Sequence, residues 1–351
     1  MFVIRPSNQL SYNSIPRNSS LGLDIKNQCD FPHRVLVVDT AGECFICACE
    51  AWLPITVGNI NDFSDLSDVW NTPVARALQQ DIDSKKFTHC AVDRCGVLDS
   101  DRRASNFAGF IDQDAYYISI NIDESCNLKC PSCRSQAVMK TEGSEYDQKL
   151  AQVTKLVSML ERFDHPALII LSGNGDPLAS SIMRPLLHNW RPNPKHRIRL
   201  FTNGLLLEKQ LTDNVIVNNI SQYFISIDAG SANVYEHVRQ PGKFVNLVKN
   251  FDFLRDLVDS TKSEVLLKFV LQQANYNDMQ NFIDLCDRYQ FKGVINRLEN
   301  WGTWQNFDAE DVIGNSDHPM HSDAMANLRS IYQQHHSRVL FNPSLAALAQ
   351  Q

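Results

Sequence analysis

The chain has 351 residues, of which 43% are hydrophobic and 21% are charged, and its formal net charge is −7 at pH 7. This is the composition of a globular protein, long enough for two domains or for one barrel with an appendage. The acidic balance argues against a nucleic-acid partner. No run approaches the roughly 20 apolar residues that span a bilayer, and no signal-peptide pattern is visible, so the sequence predicts a cytoplasmic protein with no membrane partner.

Cysteine is used unevenly along the chain. Nine of the ten cysteines lie before residue 134. In a reducing compartment such a cluster is better explained by metal or redox chemistry than by disulfides.

The first third of the chain reads as a leader followed by a small module. Residues 1–25 are polar with little periodicity, which predicts an irregular leader. Within residues 26–105, the run 34–38 predicts a strand, 39–42 its turn and 43–47 the returning strand of a hairpin.

A helix is predicted next in this module. Asp62 or Ser64 can cap it, and apolar residues follow at helical spacing. These residues are Leu66, Val69, Trp70, Ala77 and Leu78.

Residues 106–304 show short apolar runs that alternate with longer amphipathic ones. This alternation predicts parallel βαβ units, and six repeats suit a partial (β/α)6 barrel of the TIM type, whose site gathers at the carboxyl ends of the strands. A loop and a helix are predicted over 305–351. The six candidate strands are 116–122, 167–172, 197–202, 223–228, 264–271 and 293–298.

Three cysteines follow the first of these strands directly. Cys126, Cys130 and Cys133 have the spacing CxxxCxxC. Three thiolates can hold three irons of a [4Fe–4S] cluster and leave the fourth iron open for chemistry, whereas electron-transfer ferredoxins saturate all four. A zinc site or three buried thiols are the alternatives.

Polar and glycine-containing segments follow the later strands. Asn174, Gly175 and Asp176 come after the second strand, and Asn203 ends the third. Ser226 and Asp228 end the fourth strand, and Arg239 lies eleven residues beyond Asp228. Glycine at a strand end lets backbone groups approach a ligand without obstruction by a Cβ.

Together these motifs resemble the radical S-adenosylmethionine (SAM) superfamily. The resemblance implies that the open iron binds SAM, that the segment 174–177 stands where the family has GGEP and meets the methionine ammonium, and that Asn203 belongs to its TNG segment. It also implies that Ser226 and Asp228 lie on the ribose strand. A fixed guanidinium at Arg239 could pair with the SAM carboxylate; an ordinary surface arginine is the alternative.

The segment 26–105 resembles a SPASM or twitch auxiliary-cluster module placed N-terminal to the barrel. The resemblance rests on Cys29, on Gly42 followed by Cys47, on the segment 58–60 with the sequence GNI, on the helix with Trp70, and on the pair Cys90 and Cys95.

The four cysteines at 29, 47, 90 and 95 would saturate one auxiliary [4Fe–4S] cluster. Cys44 and Cys49 are then left over, and the choice among Cys44, Cys47 and Cys49 stays open. A structural zinc site with four cysteine ligands is the alternative.

The leading hypothesis is a radical SAM enzyme that cleaves SAM reductively to a 5′-deoxyadenosyl radical and modifies a peptide or protein side chain oxidatively. It would take electrons from a donor such as flavodoxin or ferredoxin. The alternative is a small-molecule or carbohydrate radical SAM dehydrogenase or epimerase, and a third hypothesis is a non-catalytic metal-binding or redox-sensing protein. Fold alone does not decide the substrate.

Overall fold

A computed structural model describes residues 29–91, 95, 98, 115–134, 136–172, 174–300, 304 and 306–351. The leader predicted for 1–25 lies outside these residues. The Cα positions divide the chain into two compact units. The first unit comprises the residues up to Glu124 together with Lys140–Ile198. The second unit comprises Ser125–Met139 and Arg199–Gln351.

The first unit combines three α-helices and five strands among its described residues. Short 3-10 helices cover Ile60–Asp62 and Leu66–Asn71, and a π-helix covers Pro185–Asn189. The helices and strands are α1 (Phe31–Arg34), β1 (Val35–Val38), β2 (Glu43–Phe45), β3 (Gly58–Asn59), α2 (Pro73–Asp83), β4 (Tyr116–Ile120), α3 (Ser144–Arg162) and β5 (Ala167–Leu171).

The N-terminal hairpin extends a parallel sheet. β1 pairs with β2 antiparallel, and β2 pairs with β3 in the same way. On its other side β1 pairs with β4 in parallel, with Val35 opposite Tyr117, and β4 pairs with β5 in parallel. The cysteine module therefore contributes a strand to the sheet that carries β4, although 82 residues separate the partners Val35 and Tyr117.

The single helix predicted around residues 66–78 is two helices. Leu66–Asn71 is a 3-10 helix, and α2 begins at Pro73 after Thr72, whose side chain accepts a hydrogen bond from the Ala75 amide at 3.0 Å. Proline has no amide hydrogen to continue the preceding helix, but it suits the first position of a new one. The residue that precedes the 3-10 helix as its cap is Asp65.

Trp70 anchors this helical segment to the sheet. Its indole Nε1 donates a hydrogen bond to the Val35 carbonyl at 3.1 Å. Its ring lies 4.9 Å from the ring of Tyr116 and 6.2 Å from that of Phe163, centroid to centroid. A buried tryptophan commonly combines apolar packing with one hydrogen bond in this way.

β6 (His196–Thr202) leads into the second unit, where parallel strands again alternate with helices. β7 pairs with β8, β8 with β9 and β9 with β10, all in parallel. The further elements are α4 (Leu207–Leu211), a 3-10 helix (Val215–Asn219), β7 (Ile220–Ser226), α5 (Ala232–Val238), α6 (Phe244–Thr261), β8 (Glu264–Leu271), α7 (Met279–Tyr289), β9 (Lys292–Arg297), α8 (His321–His335), β10 (Val339–Phe341) and α9 (Pro343–Ala349).

The predicted α/β class, with a parallel sheet and a cysteine-rich N-terminal region, is confirmed. The six predicted strands correspond to β4 to β9. The C-terminal segment adds the strand β10, which was not predicted there. The division into segments 1–25, 26–105, 106–304 and 305–351 stays a prediction.

Among the helices of the described residues, none is both long enough and apolar enough to cross a membrane.

Candidate metal centre

The loop that carries Cys126, Cys130 and Cys133 is held at three points within the second unit. The Cys126 amide donates to the Val138 carbonyl at 2.8 Å. The Cys130 carbonyl accepts from the amide of Cys133 at 2.8 Å, which closes a tight turn, and the Lys129 amide donates to the Gln240 carbonyl at 2.7 Å. The backbone thus fixes the positions of all three cysteines.

Each of the three sulfur atoms receives a hydrogen bond from a polar side chain. Asn203 Nδ2 lies 3.8 Å from Cys126 Sγ, and one Arg239 guanidinium nitrogen lies 3.7 Å from Cys130 Sγ. The Arg134 side chain hydrogen-bonds Cys133. Donors aimed at cysteine sulfurs favour thiolates and tune iron–sulfur clusters, so this surrounding fits a cluster bound through three cysteines.

Cys130 is the most enclosed of the three cysteines. Burial raises the pKa of its thiol, and the charge and hydrogen bond of Arg239 act in the opposite direction. A metal cluster would supply the remaining positive charge that a buried thiolate needs.

Arg239 and Asp228 form a buried ion pair. A guanidinium nitrogen lies 2.6 Å from Asp228 Oδ2, and the two residues are only 9% and 2% exposed. Asp228 has the left-handed φ of +54°, and its Oδ1 accepts a hydrogen bond from the Val270 amide at 2.9 Å. Arg239 Nε is buried and has no hydrogen-bond partner among the described residues. A buried donor without a partner is costly, so it marks a position where a ligand acceptor would fit.

Asn203 joins the strand end to the cysteine loop. Its Oδ1 accepts from the Leu205 amide at 3.0 Å, and its Nδ2 donates to Asn127 Oδ1 at 2.8 Å. Ser226 is the last residue of β7, two residues before Asp228. The structure therefore gathers Asn203, Asp228 and Arg239 around the three cysteines, as contacts within one unit.

The segment with Asn174, Gly175 and Asp176 belongs to the first unit and follows β5. Asp176 is 3% exposed, and its carboxylate accepts from the Leu178 amide at 2.9 Å. Its carbonyl accepts from the Ser180 amide at 3.1 Å, so Asp176 starts a turn. The Ser180 hydroxyl in turn donates to Asp123, which follows β4.

Four cysteines of the N-terminal module affect one another electrostatically. Burial raises the pKa of Cys29 to about 12, and the nearby Cys95 adds to this rise. The pKa of Cys47 is raised by burial and then by Cys29, Cys95 and Cys90. Cys29, Cys47, Cys90 and Cys95 are therefore close enough to repel one another as thiolates, which fits a shared metal cluster.

The two remaining cysteines of this module have different surroundings. Burial raises the pKa of Cys49, and Cys95 is among its charged neighbours. Burial also raises the pKa of Cys44, but its charged neighbours are the carboxylates of Glu43, Asp39 and Asp62. The Cys44 thiol donates to the Gly42 carbonyl at 3.8 Å. Cys44 is thus set apart from the group, whereas Cys49 borders it.

No three histidine, cysteine or carboxylate side chains in the described part of the chain are arranged to hold a metal ion. A tetrahedral zinc site needs its ligands around one ion at about 2.3 Å from each sulfur. A [4Fe–4S] cluster binds each cysteine to a different iron, so its ligands need not converge on one point.

A comparison with protein families assigns the module. Residues 29–96 match the SPASM family, described as an iron–sulfur cluster-binding domain. An AdoMet-dependent heme synthase of Nitratidesulfovibrio vulgaris is 24% identical over 172 residues, which are 49% of this chain and 44% of that protein. Residues 29–96 are thus a SPASM module, and the chain is similar to radical SAM proteins.

A second relative is the mycofactocin maturase MftC of Mycobacterium ulcerans. It is 23% identical over 178 residues, which are 51% of this chain and 46% of that protein. The chain thus aligns with less than half of the length of either relative.

Solved structures include Streptococcus suis SuiB bound to its precursor peptide SuiA. The match covers 76% of this chain and 62% of that one, with 12% identity and a TM-score of 0.41.

Sequence reasoning missed two residues of the centre. Arg134 hydrogen-bonds Cys133, and Asn127 accepts from Asn203. Arg134 directly follows the third cysteine in the sequence, and this adjacency was a usable signal of its contact with Cys133. The interaction of Asn127 with Asn203 joins positions 76 residues apart and had no such signal.

Proposed function

We propose that this protein cleaves SAM reductively and uses the resulting 5′-deoxyadenosyl radical to oxidise a peptide or protein side chain. One observation carries the proposal: every sulfur of the CxxxCxxC loop receives a hydrogen bond, from Asn203, Arg239 and Arg134 respectively. A loop of three thiolates with such donors, and without a fourth cysteine in its spacing, suits a cluster with one open iron.

Cys126, Cys130 and Cys133 would hold that cluster. When bound and reduced, such a cluster supplies one electron to SAM, which yields methionine and the 5′-deoxyadenosyl radical. The chain's own residues stabilise the ligand sulfurs through hydrogen bonds and keep Cys130 away from water.

The SAM contacts that we propose centre on Arg239. Arg239 would present its unpartnered Nε to the SAM carboxylate while its other nitrogens hold Asp228 and Cys130. Asn203, Ser226 and Asp228 would meet the nucleoside. The contact of Asn174, Gly175 and Asp176 with the methionine ammonium stays a prediction of the sequence resemblance.

The auxiliary site completes the proposed oxidation. After the radical has removed a hydrogen atom from the substrate, one further electron and a proton must leave to give a two-electron oxidation. Cys29, Cys47, Cys90 and Cys95 would hold the iron–sulfur group that accepts this electron.

The substrate class rests on the SPASM module, because substrates of its relatives are often ribosomally made peptides or protein side chains. The match to a heme synthase keeps a small-molecule substrate as the second candidate. A short precursor-peptide gene beside the gene for this chain favours the first candidate; coexpression should then remove hydrogen mass from that peptide. An unchanged peptide would favour the second.

Iron, sulfide and zinc per chain after anaerobic reconstitution test the two metal sites. We expect about eight irons, falling to about four when Cys126, Cys130 and Cys133 are all replaced by alanine. About four irons with one zinc in the unmodified protein would make the N-terminal site structural.

Cleavage of SAM tests the radical chemistry. With dithionite and SAM, the reconstituted protein should form 5′-deoxyadenosine, and Cys130→Ala should not. Cys95→Ala should retain some cleavage of SAM but lose substrate conversion. Cleavage at the unmodified rate by Cys130→Ala would contradict the proposed site.

A further inference from the structure

A groove of about 390 Å³ lies against the cysteine loop in the second unit. Asn127 and Leu128 of the loop line it, together with residues from the segments 205–209 and 241–250. The segment 205–209 follows Asn203 and the segment 241–250 follows Arg239, so the groove lies beside the candidate metal centre.

Residues that line the groove are connected to the sulfur of Cys126 by hydrogen bonds. The Leu128 amide donates to Cys126 Sγ at 3.4 Å. Asn127 Oδ1 accepts from Asn203 Nδ2, which also donates to Cys126 Sγ. A molecule seated in the groove would therefore touch residues that contact Cys126 directly.

Lysines dominate the charged residues at the groove. Lys209, Lys243 and Lys249 line it, and exposed Lys129 follows Leu128 in the loop. Two acids neutralise part of this charge: Glu208 lies 3.0 Å from Lys249, and Glu236 lies 2.6 Å from Lys243. Four lysines against two glutamates leave a local charge of +2, whereas the whole chain carries −7.

An exposed apolar side chain adjoins these lysines. Val245, in the first turn of α6, is 72% exposed and lies four residues before Lys249, which places the two on the same helix face. An apolar contact surrounded by charges is the usual pattern of a protein–protein interface.

We infer that this groove is the docking site of a small acidic one-electron carrier protein, a flavodoxin. The inference rests on the proposed function, because reductive cleavage of SAM consumes one electron per event. Docking would bring the flavin near Leu128. The flavin hydroquinone is oxidised to the semiquinone, and the electron enters at the Cys126 side of the loop. Opposite charges favour the encounter and orient the two proteins.

Binding can be measured independently of turnover. Calorimetric titration of the reconstituted protein with a flavodoxin should show affinity that falls as salt is added. The double variant Lys209→Glu/Lys249→Glu should bind on the order of tenfold more weakly. The control Lys262→Glu/Lys292→Glu changes two exposed lysines, one just past the other end of α6 and one at the start of β9, and should bind as the unmodified protein does.

Equal affinity of the two double variants would overturn the docking site. So would a dimer of the unmodified protein that the Lys209→Glu/Lys249→Glu variant converts to monomers in sedimentation, because the groove would then bind a second copy of the chain.

Turnover separates this inference from the proposed function. With dithionite, both double variants should form 5′-deoxyadenosine at the unmodified rate, since dithionite needs no docking site. With reduced flavodoxin, only Lys209→Glu/Lys249→Glu should slow, by about tenfold. Failure of the unmodified protein with dithionite would refute the function, whereas equal flavodoxin-driven rates in all three proteins would refute the docking site alone.

Discussion

Arg239 and Asp228 carry opposite charges that are both withdrawn from water. Removal of one partner leaves the other charge buried without compensation, which is the costly way to break such a pair. Asp228→Asn removes the charge and still tolerates the left-handed backbone. We expect a loss of about 3 kcal/mol in the free energy of unfolding, measured by urea denaturation.

An exposed pair in the same unit is the matched control for this variant. Glu264 lies 2.6 Å from Lys292, and both side chains are largely exposed. Glu264→Gln should cost less than about 1 kcal/mol, because water screens the pair. Equal losses for the two variants would show that the Arg239 charge is compensated elsewhere.

His196 makes the folding stability of the chain depend on pH. It is buried, its Nε2 donates to the Phe163 carbonyl at 2.9 Å, and burial lowers its pKa below the ordinary 6.5. Below pH 6.5 the unfolded chain binds a proton that the folded chain does not, so this stability is present above pH 6.5 and lost as the pH falls through the lowered pKa. Urea midpoints from about pH 7.5 to 5.5 should fall less steeply in His196→Gln. Parallel pH profiles would contradict this assignment.

At the scale of single elements, Gly204 joins β6 to α4 where space is short. It has a φ of +83°, and a Cβ there would lie 2.8 Å from Ile225 Cγ2 and 3.1 Å from Leu247 Cδ1. Gly204→Ala should therefore lower the free energy of unfolding by about 1 to 3 kcal/mol through overpacking, in addition to the loss caused by backbone strain. Gly143→Ala, with φ +95° and open space around it, measures the strain alone. Equal shifts in thermal midpoint would refute the crowding.

Cys44, in β2, and Cys47, just after it, have different surroundings. Cys44 faces carboxylates, whereas Cys47 faces the other cysteines. Cys47→Ser should reduce the iron content from about eight to about four per chain, and Cys44→Ser should leave it unchanged. Loss of iron in Cys44→Ser with retention in Cys47→Ser would reverse the proposed ligand set.

Elements with a local pattern were predictable, whereas their partners were not. The predicted strand 264–271 coincides with β8 because it is an apolar run with polar residues at both ends. The helix that breaks at Pro73 was also predictable in principle, since proline ends a helix. The parallel pairing of β1 with β4 and the ion pair of Asp228 with Arg239 join distant positions, and residue type alone does not select such partners.

At the scale of the whole molecule, β1 covers an edge of β4. A chain that begins at residue 106 would expose that edge, and an uncovered apolar strand edge invites pairing between molecules. We expect this shorter chain to form aggregates in size-exclusion chromatography with light scattering. A chain that begins at Cys29 keeps the pairing and is the control. A monomeric chain from residue 106 would show that β4 does not need β1.

The parallel pairing of β1 with β4 also determines how late during translation this part of the sheet can form. Tyr117 leaves the ribosome 82 residues after its partner Val35. At a translation rate of about 5 to 20 residues per second, this interval is on the order of 4 to 16 s. During that time the nascent hairpin has no β4 to bind, so the cysteines at 29, 44, 47, 49, 90 and 95 are synthesised before the sheet beside them can close. Slower translation between residues 38 and 117 would lengthen this interval and with it the exposure of the young chain to chaperones and oxidants.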